Sequence, residues 1–217
     1  LLFFLGWDEG DRVKELLASH AKGSEKNRRE LAYYAQCVKR NLKISGKQRV
    51  LGKPFTFVLR TEDVLEQFPD AKMIYMVRDP VSVIPSGMNM LSNATDNMFK
   101  TKSLPDDVRA RYFENLYQGE VALYRQFHDA YKAGKIPKEN LLIVRFPDLM
   151  QNFEKVMEDI LEFTGIEVSE EYMQEVREQA DKQRSYVSGH KYDLADFGIT
   201  EERIREDLAF VYEEFDL

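Results

Sequence analysis

The chain has 217 residues, of which 43% are hydrophobic, enough for one α/β domain with a full core or at most two small ones. Its net charge of −7 argues against a nucleic-acid-binding face, which needs concentrated basic charge, but leaves room for a small anion held by a few local cations. Cys37 is the single cysteine and His20, His128 and His190 are far apart, so an intrachain disulfide is excluded and no metal site is expected.

Residues 1–5, LLFFL, fit either a strand or a helix tail. They are too short for a signal-peptide core and lack a basic flank. No apolar run is long enough to span a bilayer. Helices are predicted over residues 8–20 and 25–43, the second from Leu31, Tyr34, Ala35, Val38 and Leu42 at helical steps, with Gly46 ending it. Residues 49–55 read as a short strand and 61–68 as a short helix with Thr61 as its N-cap. KMIYMV at 72–77 is a continuous apolar run, the pattern of a parallel strand covered on both faces. Asp79 then suits a cap and Pro80 the first turn of a helix over 80–91.

Residues 92–104 look loop-like. A long helix is predicted over 105–133, from a stripe of Val108, Tyr112, Leu116, Leu123, Phe127 and Tyr131. A second buried strand fits 140–146, and helices fit 152–164, 170–182 and 201–214. Between the last two lies KQRSYVSGHKYDLADFG, rich in Arg, Lys, Ser and Gly. Strands alternating with helices imply a parallel sheet. The expected architecture is one three-layer α/β/α domain over 1–217, helix-rich, with a central parallel sheet.

Ligands of open parallel sheets sit beyond the carboxyl ends of the strands. Arg78 stands at such an end, and its guanidinium offers a rigid fork of donors suited to phosphate. Ser86 lies two helical turns past Asp79, on the face of the helix start, although Pro85 intervenes. A phosphate along that face could take Arg78 and the Ser86 hydroxyl together. The alternative is that Arg78 pairs with Asp79 or another acid and Ser86 is a small packing residue.

The stretch FPDAKMIYMVRDPVSVIPS resembles the 3′-phosphate-binding segment of the sulfotransferase family, in which an apolar strand is followed by Arg-Asp-Pro and by a serine eight residues after the arginine. GKQRVLGKPF, NLLIVRFPDLMQNFEKVMEDILEFTGI and SGHKYDLADFGITEERI resemble further family segments in the same order, and the likeness covers roughly residues 30–217. It implies a P-loop-NTPase-like sulfotransferase fold, 3′-phosphoadenylyl sulfate (PAPS) as donor and 3′,5′-adenosine bisphosphate as product. The acceptor implied is a small molecule or a glycan- or lipid-type hydroxyl or amine, with no nucleic acid involved.

Carried over residue by residue, Arg78 and Ser86 would hold the 3′-phosphate. Lys53 would be the strand-end cation near the transferring group, unless the match is set on Pro54, which shifts the lysine by one. The loop residues Arg184, Ser188, Gly189, His190 and Lys191 would cover the nucleotide, or else form a solvated connector. The family's histidine base after the lysine has no counterpart, since Phe55, Thr56 and Phe57 stand there. Nothing fits the family's Gly- and Ser/Thr-rich 5′-phosphosulfate loop. Gly46 and Gly52 have five residues between them rather than four, and Pro54 replaces Ser/Thr. AKGSEKNRR is a polar helix start.

The expectation is a chain whose first strand and loop precede Leu1, inactive by itself. A cytoplasmic location is expected, or the Golgi lumen if an anchor lies upstream. A small-molecule kinase or a non-catalytic nucleotide-binding domain are the competing readings. Met98, Phe99, Tyr112, Phe113, Tyr117 and Tyr124 could line an acceptor cleft, or form core.

Overall fold

A computed structural model describes residues 11–184 and 193–217 of the chain. Two strands lie side by side and parallel, β1 (Met73–Val77) and β2 (Leu141–Arg145), paired from Met73↔Leu141 to Val77↔Arg145. Helices α1 (Arg12–Ser19), α2 (Glu25–Ser45) and α3 (Thr61–Gln67) precede β1. Helices α4 (Pro80–Phe99) and α5 (Asp106–Lys132) connect the strands. Helices α6 (Phe146–Gln151), α7 (Phe153–Thr164), α8 (Glu170–Arg184), α9 (Glu201–Asp207) and α10 (Ala209–Phe215) follow β2. The expected helix-rich α/β class is what the chain adopts, with a smaller sheet.

Alternation along the strands sorts the layers. Tyr75, Val77, Leu141 and Ile143 join the main core with Ile84, Met88, Tyr112, Leu116, Phe127, Ile204 and Val211 from α4, α5, α9 and α10. The Tyr75 and Phe127 rings stack at 3.6 Å. On the other side α7 packs on β2 and α8, and Val144, Val156, Val176 and Ala180 are buried there.

Local chemistry explains most boundaries. Ser24 accepts from the Asn27 amide and Gly46 closes α2 at φ 66°, as the sequence predicts. The strand expected at 49–55 does not form. Residues 49–54 are irregular, and Phe55–Arg60 is a 3₁₀ turn. Gly52 and Pro54 weaken any ladder, Leu51 is almost fully exposed, and Arg49 reaches instead to the Thr164 and Gly165 carbonyls that end α7. Thr61 is not a cap: it is the buried first residue of α3, and its hydroxyl donates back to the carbonyls of Phe57 and Val58.

Helix α4 runs on through the stretch expected to be a loop. Leu91 and Thr95 extend the buried stripe of Ile84 and Met88, so the polar residues around them stay helical on the outer face. The helix expected at 201–214 is two helices, broken at Leu208, whose φ −115° and ψ 21° let Ile204 and Val211 both reach the core.

Candidate active site

The chain leaves the carboxyl end of β1 at Arg78, Asp79 and Pro80. Asp79 is fully engaged. Its carboxylate accepts from the Val81 amide at 3.0 Å and from the Tyr212 hydroxyl of α10 at 2.6 Å. Its backbone carbonyl accepts from the Ser82 and Val83 amides. The first amides of α4 are therefore already satisfied, and Pro80 has none to offer. An anion at this helix start would gain the positive end of the helix dipole but would need side chains for its hydrogen bonds.

Arg78 supplies such a side chain. It is exposed, and its guanidinium lies 4.5 Å over the ring of Phe146, the first residue of α6. Among the described residues no hydrogen bond or ion pair engages it, so the pairing of Arg78 with Asp79 weighed above does not occur. The arginine at the end of β2 differs: Arg145 meets Asp148 at 3.3 Å and Asp216 at 3.4 Å. Of two neighbouring strand-end arginines, one is neutralised and one lies over a ring with its donor fork unpaired among the described residues.

Ser86 lies half-buried two turns into α4, between buried Pro85 and Gly87. Pro85 leaves α4 continuous from Pro80 through Ser86. Next to Ser86 the helix carries a notch. A Cβ at Gly87 would stand 2.8 Å from the carboxyl carbon of Glu120 and closer still to one of its oxygens. The Glu120 carboxyl of α5 fills that notch with 7% exposure, and burial pushes its pKa up to about 8. Tyr124, one turn further along α5, is raised by burial first, then by Tyr75, Glu120, Tyr212 and Asp79.

Of the other sequence-derived binding residues, Lys53 is the one whose side chain is described. Lys53 is exposed in the irregular segment, with no contact to Arg78 or Ser86 among the described residues. Arg184 is the last residue of α8, while Ser188, Gly189, His190 and Lys191 lie outside the described residues. Tyr112 and Tyr117 belong to the core, and only Met98 and Phe99 of the cleft candidates are well exposed. Phe146, Tyr212 and Glu120 were not legible in advance, because each acts through a partner distant in sequence. Among the described residues no cluster of His, Cys, Asp or Glu could hold a metal, and no helix is long and apolar enough to cross a membrane.

Comparison with known proteins gives two matches, one of structure and one of family. A solved structure of the sulfotransferase STF9 from Mycobacterium avium matches with a TM-score of 0.60 at 20% identity, over 75% of this chain and 40% of that one. The likeness is one of fold, and the chain spans less than half the length of that protein. No curated protein matches the sequence. The model describing the sulfotransferase family matches residues 11–170, which takes in α1 to α7 and the whole of the Arg78–Ser86 segment. On that match the chain belongs to the sulfotransferase family.

Proposed function

We propose that the protein transfers a sulfuryl group from 3′-phosphoadenylyl sulfate to a hydroxyl or amine of an acceptor, a small molecule or a glycan- or lipid-type compound. The observation that carries this reading is Arg78: a strand-end guanidinium over the ring of Phe146, with no hydrogen bond or ion pair among the described residues, beside a helix start whose amides are already used. Such a group suits a terminal phosphate dianion, which takes two parallel hydrogen bonds from one fork. Ser86 adds a hydroxyl along the same face. These two residues form the 3′-phosphate half of the donor site.

Arg184, Ser188, Gly189, His190 and Lys191 are proposed to fold over the nucleotide, and Lys53 to supply a cation toward the departing phosphate. Both assignments rest on the resemblance of the sequence. In the reaction the donor's S–O bond to phosphate breaks, a bond from sulfur to the acceptor oxygen or nitrogen forms, and the acceptor proton passes to a base. The protein's share is to place the two reactants in line and to stabilise charge on the leaving phosphate. Neither described strand is followed by a glycine-rich loop: β1 leads into Arg78-Asp79-Pro80 and β2 into Phe146-Pro147-Asp148. The described residues therefore account for the 3′-phosphate and not for the 5′-phosphosulfate.

Calorimetric titration of the full-length protein tests the reading. 3′,5′-Adenosine bisphosphate is expected to bind, 5′-AMP to bind far more weakly, and Arg78→Ala to remove the difference between them. Tighter binding of ATP than of the bisphosphate would point to a kinase. No response to any nucleotide would leave a non-catalytic domain.

A further inference from the structure

Glu120 is a residue with 7% exposure, and among the described residues no hydrogen bond or ion pair reaches its carboxyl. Leaving such a group unpaired is costly, and a charged one far more so. Yet the fold makes room for it. α4 carries glycine where any side chain would collide with the carboxyl, and that glycine directly follows Ser86. The contact between the two long helices at this level is therefore a carboxyl seated against bare helix backbone.

We propose that Glu120 is a positioning residue for the Ser86 side of the anion clamp: its uncharged carboxyl, seated in the notch at Gly87, fixes the spacing of α4 on α5, and loss of its proton loosens the clamp. The inference rests on the reading of Arg78 and Ser86 as phosphate ligands. An ionised Glu120 would draw water into the notch and lift α4. It would also place a negative charge beside the residue meant to meet a phosphate. The groups around it cannot offset that charge. Tyr124 on α5 itself is coupled to it, and the groups coupled to Tyr124 in turn are Tyr75 on β1, Asp79 at the start of α4 and Tyr212 on α10, all neutral or acidic. Burial alone sets its proton affinity, with no cation contributing.

The test is the affinity of the full-length protein for 3′,5′-adenosine bisphosphate, measured by calorimetry between about pH 7.2 and 9.5, a range in which arginine keeps its charge and the nucleotide phosphates, with a second pKa of about 6, are almost wholly dianionic. Wild-type affinity is expected to fall roughly 10-fold across it. Glu120→Gln, which fixes the neutral form, is expected to show an affinity that does not change with pH. Parallel profiles in the two proteins would overturn the inference while leaving the donor assignment intact. Absence of bisphosphate binding at every pH would overturn both.

A second pair of variants probes the notch directly. Gly87→Ala is expected to weaken binding, and the double variant Gly87→Ala/Glu120→Ala to restore it, because the new methyl then occupies the space the carboxyl has vacated. A double variant no better than Gly87→Ala would count against the coupling.

Discussion

Arg78 shows how much of a site one residue can carry and what it borrows from others. Its guanidinium sits over the Phe146 ring, and a planar donor fork is what distinguishes arginine from lysine. Arg78→Lys should therefore behave nearly as badly as Arg78→Ala toward 3′,5′-adenosine bisphosphate. Each should lose roughly 10- to 100-fold in affinity, the worth of about 1.5–3 kcal/mol for hydrogen bonds to a charged group. Equal binding by the lysine variant would mean that simple charge suffices. Lys53→Ala has a different expected signature if the lysine serves the leaving phosphate: kcat falls while KM for the donor changes little. Arg78 and Ser86 were legible because an apolar run ending in Arg-Asp-Pro is a local pattern. Glu120 was not, since a glutamate in a mixed helix reads as solvated surface. Only its juxtaposition with Gly87, 33 positions away, reveals it as buried.

Between elements, a few polar bonds hold the helices that frame the clamp. The Tyr212 hydroxyl ties α10 to Asp79, and burial followed by that carboxylate raises the tyrosine's pKa. Thr95 and Tyr112 share a 2.7 Å hydrogen bond between α4 and α5. Arg203 of α9 grips Glu114 of α5 through two bonds, at 2.9 and 2.7 Å, and stacks on Tyr117. Tyr212→Phe should cost about 1–2 kcal/mol and lower Tm by a few degrees. It should also weaken nucleotide binding, because Asp79 sets the turn on which Arg78 is mounted. A loss of Tm with unchanged affinity would show that the bond braces the fold alone. The same long-range contacts explain where the sequence misled. The end of α4 stayed helical through Leu91 and Thr95 meeting the core, and the 201–214 segment broke at Leu208 because one straight helix could not serve both α5 and β1. Residues 49–55 have a strand's composition but pair with no strand among the described residues, and pairing is what a pattern of single residues does not encode.

Across the whole molecule the buried titratable groups set opposing pH limits on stability. Arg203 holds the Glu114 carboxyl below its ordinary range, chiefly by hydrogen bonding, and Lys22 does the same for Glu62. Stability from such groups is present above the ordinary carboxylate pKa and is lost as pH falls through the lowered one. His20 is buried and its pKa is lowered by that burial, so its contribution is full above the ordinary histidine value and declines as pH falls below it. Glu120 has the opposite sign. Its folded pKa is about 8, far above the unfolded value, so its contribution is full only below the unfolded pKa and declines until pH reaches the folded one. Just below the ordinary histidine pKa the His20 and Glu120 slopes offset each other, and above it Glu120 acts alone, at about 1.4 kcal/mol per pH unit. Tm should therefore peak at mildly acidic pH and drop toward pH 8 by an amount on the order of 2 kcal/mol, or several degrees. Glu120→Gln should abolish that alkaline decline while leaving the acid limb, which belongs to His20 and the paired carboxylates, in place. A wild-type Tm that is level from pH 6.5 to 8 would mean that Glu120 ionises at an ordinary pH, and that the notch at Gly87 does not keep its carboxyl out of water.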